Sequence, residues 1–379
     1  MVRNSRSSQW IETSRGYRLS SGNIAAHSSF TASTLEPVLM QREKREELEK
    51  HFLAKGATFS SGAGNRRYPE EPDPMRTAFE RDRDRILHSS AFRRLAGKTQ
   101  VFIFPNDHQR TRLTHALEVA QVATAISRAV GLNVALTEAI AYGHDCGHGP
   151  GGHASEDAFS RFLREGYDHA TWGADHTLVE LNLCVETLDG IRNHSWSRPQ
   201  PLTPEGTVVS FADRIAYCAH DLEDAIKAGV VSASQIPKSI THSAGNTRGR
   251  QLSYFISDMV GTISRTSEIA LSSPAASLLA ELRQFNYEKI YMRPESVSQS
   301  ETVIRVLGQL VEYYIDNPEK IPSSSSGLDD YLGHETVPMA VGYVSGMTDR
   351  FAFQKAVDLL GLDPAGLPRG IDLPRDRLS

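Results

Sequence analysis

One glycine-rich stretch of the chain concentrates side chains that bind metal ions and move protons. Residues 143–156 read GHDCGHGPGGHASE, which brings three histidines and two carboxylates close together in the sequence. Imidazole nitrogen and carboxylate oxygen together suit a divalent transition metal or Mg²⁺. The adjacent pair His144 and Asp145 reaches one ion only if further ligands arrive from elsewhere, so partners must be sought on other elements.

A buried helix predicted over residues 111–130 supplies one such partner. Apolar side chains share the face of this helix that carries His115, because they follow it at helical spacing: Val119, Val122 and Ile126. Arg112 precedes His115 by one turn and is its neighbour on that face. A single buried histidine is more often a hydrogen-bonded core residue than a ligand, and that alternative stays open on these residues alone.

Two further predicted helices complete the set. A helix over 133–142 delivers His144 and Asp145 at its C-terminal end, and the glycines that follow permit a sharp turn. Thr203 and Pro204 form a helix-start signal, and the helix that they begin carries three polar residues along the edge of an apolar stripe: Asp213, Tyr217 and Asp221. Asp213 by itself is equally explained as a helix-surface charge.

These elements predict one ion held by His115, His144, Asp145 and Asp213. The ligands would come from three helices that project inward, as in helical-bundle metal sites. Two imidazoles and two carboxylates are compatible with Mn²⁺, Mg²⁺, Co²⁺, Ni²⁺ or Fe²⁺, so the metal stays open.

The order His, His-Asp, Asp resembles that of the HD metal-dependent phosphohydrolases. Five segments between residues 76 and 360 resemble motifs of one branch, the dGTPase-like deoxynucleotide triphosphohydrolases: FERDRDRI at 79–86, FRRLAGKTQVF at 92–102, RTRLTH at 110–115, ADRIAY at 212–217 and GMTDR at 346–350. The resemblance implies an all-α fold, an HD-domain helical bundle with additional C-terminal helices. It also implies hydrolysis of a deoxynucleoside triphosphate (dNTP) to deoxynucleoside and inorganic triphosphate.

Hydrolysis at phosphorus needs a proton donor and a base beside the metal. His153 and Glu156 lie one helical turn apart, so the carboxylate can orient the imidazole and raise its basicity. By resemblance, His148, His153 and Glu156 line the phosphate end of the site, and His169 is a further catalytic group. His176 is an alternative to His169, and His194 resembles a family segment without an assigned step.

One predicted substrate contact follows from chemistry, and the others are implied by the family resemblance. A guanidinium fork suits a triphosphate, and Arg112, one turn from His115, is the best candidate. The resemblance implies that Gln100 and Asp221 bind the sugar 3′-hydroxyl and that Tyr217 packs beneath the deoxyribose. It implies that Arg214 reaches phosphate; each residue has a structural role as its alternative.

Composition sets broad limits. The chain has 379 residues, 39% hydrophobic and 23% charged, which is ordinary for a globular protein. A net charge of −5 gives no global attraction for nucleic acid. Three widely spaced cysteines favour reduced thiols rather than disulfides. The sequence also has no apolar run long enough to span a membrane. We therefore expect a cytoplasmic protein. The resemblance adds an expected homo-oligomer and an allosteric nucleotide or single-stranded DNA effector.

The chain divides by composition into three parts. Residues 1–35 are predicted as a disordered tail and residues 36–75 as a short helix followed by a linker. Residues 76–379 are predicted as the phosphohydrolase core with a helical C-terminal extension. Amphipathic helices of that extension are expected at 252–264, 275–284, 300–315 and 339–360.

Two other functions are compatible with the sequence. One is a different HD phosphohydrolase, a nucleotidase or a phosphodiesterase, although the segments at 92–102 and 346–350 disfavour it. The other is a catalytically silent nucleotide sensor. The segment YDHATWG at 167–173 favours it, because the family usually has a His-Asn or His-Glu followed by Gln there, and the complete ligand set disfavours it.

Overall fold

The computed structural model describes residues 5–29, 35–62, 64–104, 109–322 and 335–368. Residues 1–40 form one compact unit and the chain from Gln41 forms another. Parts of three predicted segments lie outside the described residues: 1–4 and 30–34 of the tail, the serine run at 323–326, and 369–379 at the C-terminal end.

The first unit contains a helix and a pair of short strands. The helix is α1 (Ser5–Thr13), and β1 (Tyr17–Arg18) pairs antiparallel with β2 (Ile24–Ala25), with Tyr17 opposite Ala25. The structure therefore differs here from the disordered tail that the sequence predicts. Strands of two residues are too short to show the alternation on which a sequence prediction depends.

The second unit is built from helices, and the predicted all-α class is confirmed. Its α-helices are α2 (Arg42–Phe52), α3 (Ala78–His88), α4 (Ser90–Arg94), α5 (Arg112–Val130), α6 (Val134–Gly143), α7 (His153–Ser160), α8 (His169–Trp172), α9 (Val185–Arg192), α10 (Pro204–Lys227), α11 (Lys238–Ser243), α12 (Arg248–Thr266), α13 (Ser273–Asn286), α14 (Pro294–Asp316), α15 (Thr336–Ser345) and α16 (Asp349–Leu360). Short 3₁₀ or π turns lie at Leu95–Gly97, Gly173–Thr177, Val179–Leu181, Ala233–Gln235, Tyr287–Tyr291, Pro318–Lys320 and Pro364–Gly366.

Local sequence sets the ends of the helices that matter most for the site. Helix α6 begins where the Asn133 side chain accepts a hydrogen bond from the amide of Leu136, and α10 begins where Thr203 accepts one from Gly206. Helix α5 ends at Gly131, whose φ of 74° lies in the left-handed region. The start and stop signals of the sequence therefore operate as local chemistry predicts.

Two hydrophobic cores stabilise the unit. Helix α5 packs against α6, α10 and α12, and its predicted apolar stripe, with His115, is buried in the first core. Helix α14 packs against α7, α15 and α16 in the second core. Because α5, α6 and α10 belong to the first core and α7 to the second, the predicted ligands and the predicted acid/base residues come from different cores.

The segment predicted as a linker is anchored to the first core by two buried carboxylates. Glu49 accepts hydrogen bonds from the amide of Ser60, at 2.7 Å, and from its hydroxyl, at 2.6 Å. Glu205, on α10, accepts from the amide and hydroxyl of Thr58 at 3.1 and 2.7 Å and from the amide of Asn133 at 2.9 Å. The compact unit therefore begins at Gln41, ahead of the start predicted near residue 76.

The predicted C-terminal helix over 339–360 is two helices. Helix α15 ends at Ser345 and α16 begins at Asp349, with residues 346–348 between them. Asp349 is buried at the break, where its carboxylate accepts hydrogen bonds from the amides of Thr99 and Gly151, both at 2.9 Å. These partners are remote in sequence, so apolar periodicity alone does not reveal the break.

The cysteine prediction is confirmed, since Cys146, Cys184 and Cys218 are free and buried. Among the helices of the described residues, none has both the length and the apolar content that crossing a bilayer requires.

We expect the Glu205→Ala variant to lower the free energy of unfolding by about 2–4 kcal/mol, because the half-buried amide and hydroxyl of Thr58 and the buried amide of Asn133 would lose their acceptor. Burial raises the pKa of Glu205, so the neutral Glu205→Gln variant, which can accept from both amides, should stay within about 1 kcal/mol of the native protein. Urea unfolding at pH 7 measures both effects. Glu268→Ala, at an exposed position, is the control, and an equal loss in the Ala and Gln variants would contradict the argument.

Candidate metal centre and active site

Two imidazoles and two carboxylates converge between α5, the end of α6 and α10. The Nε2 atom of His115 lies 3.0 Å from Oδ1 of Asp213 and 3.9 Å from Oδ2 of Asp145. The Nε2 atom of His144 lies 3.5 Å from Oδ1 of Asp145 and 3.7 Å from Oδ1 of Asp213. The structure therefore brings together all four side chains that the sequence predicts as ligands.

The protonation of His144 fits a ligand. Its Nδ1 donates to the carbonyl of Ala141 at 2.7 Å, which leaves the lone pair on Nε2. That Nε2 atom is buried, lies among the carboxylates and has no hydrogen-bond partner in the described part of the chain. An unpaired buried acceptor is costly, and a divalent cation would satisfy it. The donor set therefore fits a metal ion.

Both acids of this centre are held ionised. Burial alone would raise the pKa of Asp145, but Arg112, His144 and His148 together hold it well below its usual range. Arg112 makes the closest of these contacts, donating from Nη1 to Oδ2 at 2.8 Å. Burial likewise opposes the charge of Asp213, whereas its hydrogen bond to His115 and the nearby imidazole of His144 lower its pKa. Two carboxylates therefore offer negative charge to a cation.

A second cluster lies beside the first and is organised by Glu156. Its Oε1 accepts a hydrogen bond from Nδ1 of His153 at 2.7 Å and another from Nδ1 of His169 at 3.1 Å. Burial opposes the charge of Glu156, but His169 and His153 lower its pKa well below the usual range. In return, Glu156 outweighs burial and raises the pKa of His169. The side chain of His153 is 76% exposed, so this imidazole is accessible.

His148 connects the two clusters. Its ring stacks on that of His169, with 3.7 Å between centroids and 16° between planes. Its Nε2 lies 3.2 Å from Oδ1 of Asp145. Burial, followed by repulsion from Arg112 and His169, holds the pKa of His148 well below its usual value. The neutral imidazole of His148 therefore stacks on the imidazole of His169, which favours its protonated form.

His194 and His176 occupy different places. The Nε2 atom of His194 lies 3.3 Å from Nε2 of His169, and its Nδ1 donates to the carbonyl of Ile191 at 2.8 Å. Burial, followed by the neighbouring imidazoles of His144 and His169, lowers the pKa of His194 to about 4. His176 instead packs against Trp172 and lines another cavity. The geometry therefore places His169 within the cluster and His176 outside it.

One cavity of about 440 Å³ opens onto both clusters. The predicted substrate residues line it together: Gln100, Arg112, Arg214, Tyr217 and Asp221. The other predicted site residues line it too, except His144 and Glu156, which contact residues that do. A volume of this size is typical of a small-molecule site.

Several of these substrate residues already have protein partners. Asp221 accepts hydrogen bonds from Arg110 and Tyr291, and the hydroxyl of Tyr217 accepts one from Nε of Arg283 at 3.0 Å. By contrast, the buried amide oxygen of Gln100 has no hydrogen-bond partner among the described residues. Gln100 therefore offers an acceptor at the cavity wall.

Sequence reasoning assigned no role to three residues that line the cavity, Trp196, Arg283 and Tyr291, or to Arg110 beside it. Arg214 lies over the indole of Trp196, with Cζ 3.5 Å from the ring centroid. Arg283 and Tyr291, on α13 and the turn after it, bond Tyr217 and Asp221 from the opposite side, and Arg110 is buried against Asp221. The only signal for Arg283 and Tyr291 is helical periodicity, which does not specify what a helix packs against.

Comparison with known proteins gives a consistent result. The HD-domain family model matches residues 112–218, which include the four convergent side chains, and the phosphohydrolase-associated domain model matches residues 269–357.

Three relatives are each described as a deoxyguanosinetriphosphate triphosphohydrolase-like protein. The chain is 41% identical over 323 residues to that of Caldanaerobacter subterraneus, with 83% of this chain and 94% of the relative covered. It is 38% identical to that of Desulfatibacillum aliphaticivorans, with 83% and 96% covered, and 40% identical to that of Clostridium perfringens, with 82% and 94% covered.

We expect the Glu156→Gln variant to lower the pKa of His169. The Glu156 carboxylate stabilises the imidazolium of His169, whereas burial destabilises it. His169 would then lose its proton at a lower pH than in the native protein. Titration of the histidine side chains by NMR, with His169 assigned from its loss in His169→Asn, measures the change. Asp157→Asn, exposed on the same helix, is the control; an unchanged His169 titration in Glu156→Gln would contradict the assignment.

Proposed function

Because the chain belongs to the deoxyguanosinetriphosphate triphosphohydrolase-like family of HD-domain phosphohydrolases, we propose that it hydrolyses dNTPs to deoxynucleoside and inorganic triphosphate. The observation that carries the proposal is the junction of two clusters at one cavity. A buried set of ligands with an unpaired imidazole nitrogen lies beside an acid/base set centred on Glu156.

We assign the metal ligands to His115, His144, Asp145 and Asp213, supported by their convergence. A divalent cation bound there supplies Lewis-acid activation of water and of a phosphoryl oxygen. The hydrogen bond from Arg112 keeps the carboxylate of Asp145, one of the proposed ligands, ionised and oriented.

The proposed reaction breaks the bond between the α-phosphorus and O5′. Water adds its oxygen to the α-phosphorus and gives up one proton, O5′ leaves with the bonding pair, and one proton is delivered to O5′ to give the free 5′-hydroxyl. His153 is suited to hold that proton, because its imidazole is accessible and Glu156 orients it. His169, which favours the protonated form, and His148 lie next to it and complete the catalytic set.

Substrate contacts are assigned along the same cavity. Arg112 and Arg214 would donate to the phosphates, Gln100 and Asp221 would bind the 3′-hydroxyl, and Tyr217 would lie beneath the deoxyribose. Asp221 is compatible with this role despite its two protein donors, since a carboxylate has further lone-pair positions.

Other expectations stay predictions: the identity of the metal, a homo-oligomeric state, a nucleotide or single-stranded DNA effector, and a cytoplasmic location.

The product test uses each dNTP with Mn²⁺ or Mg²⁺ in water enriched in ¹⁸O. We expect equal amounts of deoxynucleoside and triphosphate, with the label in the triphosphate because water attacks phosphorus. Ribonucleoside triphosphates should react more slowly, since a 2′-hydroxyl would clash with Tyr217. Recovery of dNDP or dNMP would refute the proposed reaction, and label in the nucleoside would refute attack at phosphorus.

Metal binding and catalysis should separate by variant. His144→Ala should weaken metal binding by at least about 10²-fold. Removing a residue that supports a ligand can already cost that much affinity, and removing the ligand itself should cost no less. His153→Ala should retain the metal and lose about 10²- to 10⁴-fold in kcat. Metal content after dialysis and steady-state kinetics measure the two effects. His242→Ala, at an exposed position, should change neither, and retained metal in His144→Ala would overturn the ligand assignment.

A further inference from the structure

Three segments remote in sequence meet at the carboxylate of Asp349, on the first turn of α16. We propose that Asp349 is a positioning residue, which fixes the spacing of two walls of the active-site cavity without contacting the substrate. One wall carries Gln100 and the other is the glycine turn that leads to His153. The inference rests on the proposed function for its effect on turnover, but its structural part does not.

Each oxygen of this carboxylate serves one wall. Oδ2 accepts hydrogen bonds from the amide of Thr99, at 2.9 Å, and from the Thr99 hydroxyl. Oδ1 accepts from the amide of Gly151 at 2.9 Å. Thr99 immediately precedes Gln100, and Gly151 lies two residues before His153. A single planar group therefore sets the distance between the proposed sugar-binding and acid/base residues.

The chemistry of the position requires a carboxylate. Every partner hydrogen bond is donated to Asp349, so both of its oxygens must accept. An amide of the same shape would turn an NH₂ group toward one of these donors. Asp349 is only 1% exposed, and the charge of buried Lys98 favours its ionised form. Burial opposes that charge, and donors from two distant segments occupy both oxygens, which makes a purely space-filling role a poor explanation.

The surrounding backbone is too closely packed to tolerate adjustment. A Cβ atom at Gly97 would lie 2.8 Å from Cγ2 of Thr348. A Cβ atom at Gly151, whose φ is +75°, would lie 2.5 Å from Cγ1 of Val303 on α14. Gly97 therefore permits the close approach of the residue before Asp349, and Gly151 permits the close approach of α14.

Lys98 ties the same junction from a second direction. Its buried Nζ donates to the carbonyl of His148, at the glycine turn, and to that of Ser345 at 3.0 Å. The break between α15 and α16 is therefore bound to the glycine turn through Lys98 as well as through Asp349. Asp349 itself does not line the cavity, so its influence must pass through Thr99 and Gly151.

The test compares Asp349→Asn with Asp358→Asn in the metal-loaded full chain. Asp358 is an exposed residue of α16 that pairs with Gln354 at 2.9 Å. We expect Asp349→Asn to keep its metal, to lose about 10²-fold in kcat, as a displacement of about 1 Å would cause, and to raise KM as Gln100 shifts. A loss of kcat in proportion to the unfolded fraction, at constant KM, would mean a merely structural role and overturn the proposal.

Hydrogen exchange provides a readout that needs no turnover. Asp349→Asn should accelerate amide exchange in peptides covering 99–104 and 149–153 together, with α5 and α10 unchanged, and Asp358→Asn should accelerate neither. Thr99→Val, which removes one donor and preserves side-chain shape, should act in the same direction on 99–104 if Asp349→Asn fails to fold. Exchange altered only within α15 and α16, or in neither wall, overturns the proposal. If the native protein hydrolyses no dNTP, that result refutes the proposed function and leaves the structural part of the inference standing.

Discussion

The structure depends on confining two imidazoles and two carboxylates in a buried space where their charges must be balanced. Asp145 and Asp213 are ionised there because Arg112 and the neighbouring histidines oppose the cost of burial. One acceptor, Nε2 of His144, is left without a partner among the described residues. A protein that needed only a stable core would fill this space with apolar side chains, so the arrangement is explained by a cation and its chemistry.

Buried and half-buried carboxylates connect distant parts of the chain. Glu156 joins His153 to His169, Glu205 joins the segment around Thr58 to α6, and Asp349 joins the two walls of the cavity. Each connector accepts several donated hydrogen bonds, which a carboxylate can do with both oxygens. Glu156 bonds His153 and Asp349 bonds Gly151, two residues earlier, so this part of the chain is held from α7 and from α16 at once.

The helices could largely be predicted because their signals are local. Apolar periodicity and capping residues predicted both ends of α5 and α6 and the start of α10 within about a residue of the observed ones. Local signals failed where long-range contacts decide. The break before α16 depends on donors at Thr99 and Gly151, and the inclusion of residues 41–75 in the compact unit depends on Glu49 and Glu205.

The sequence by itself determined the family and the convergent residues His115, His144, Asp145 and Asp213, because helical spacing and the order of motifs are written in the chain. Only the tertiary structure decided that His169 and not His176 joins Glu156, that His194 lies against His169, and that Arg283 and Tyr291 close the far side of the cavity. These pairings join segments far apart in sequence, and their geometry follows from how helices pack, which no local pattern encodes.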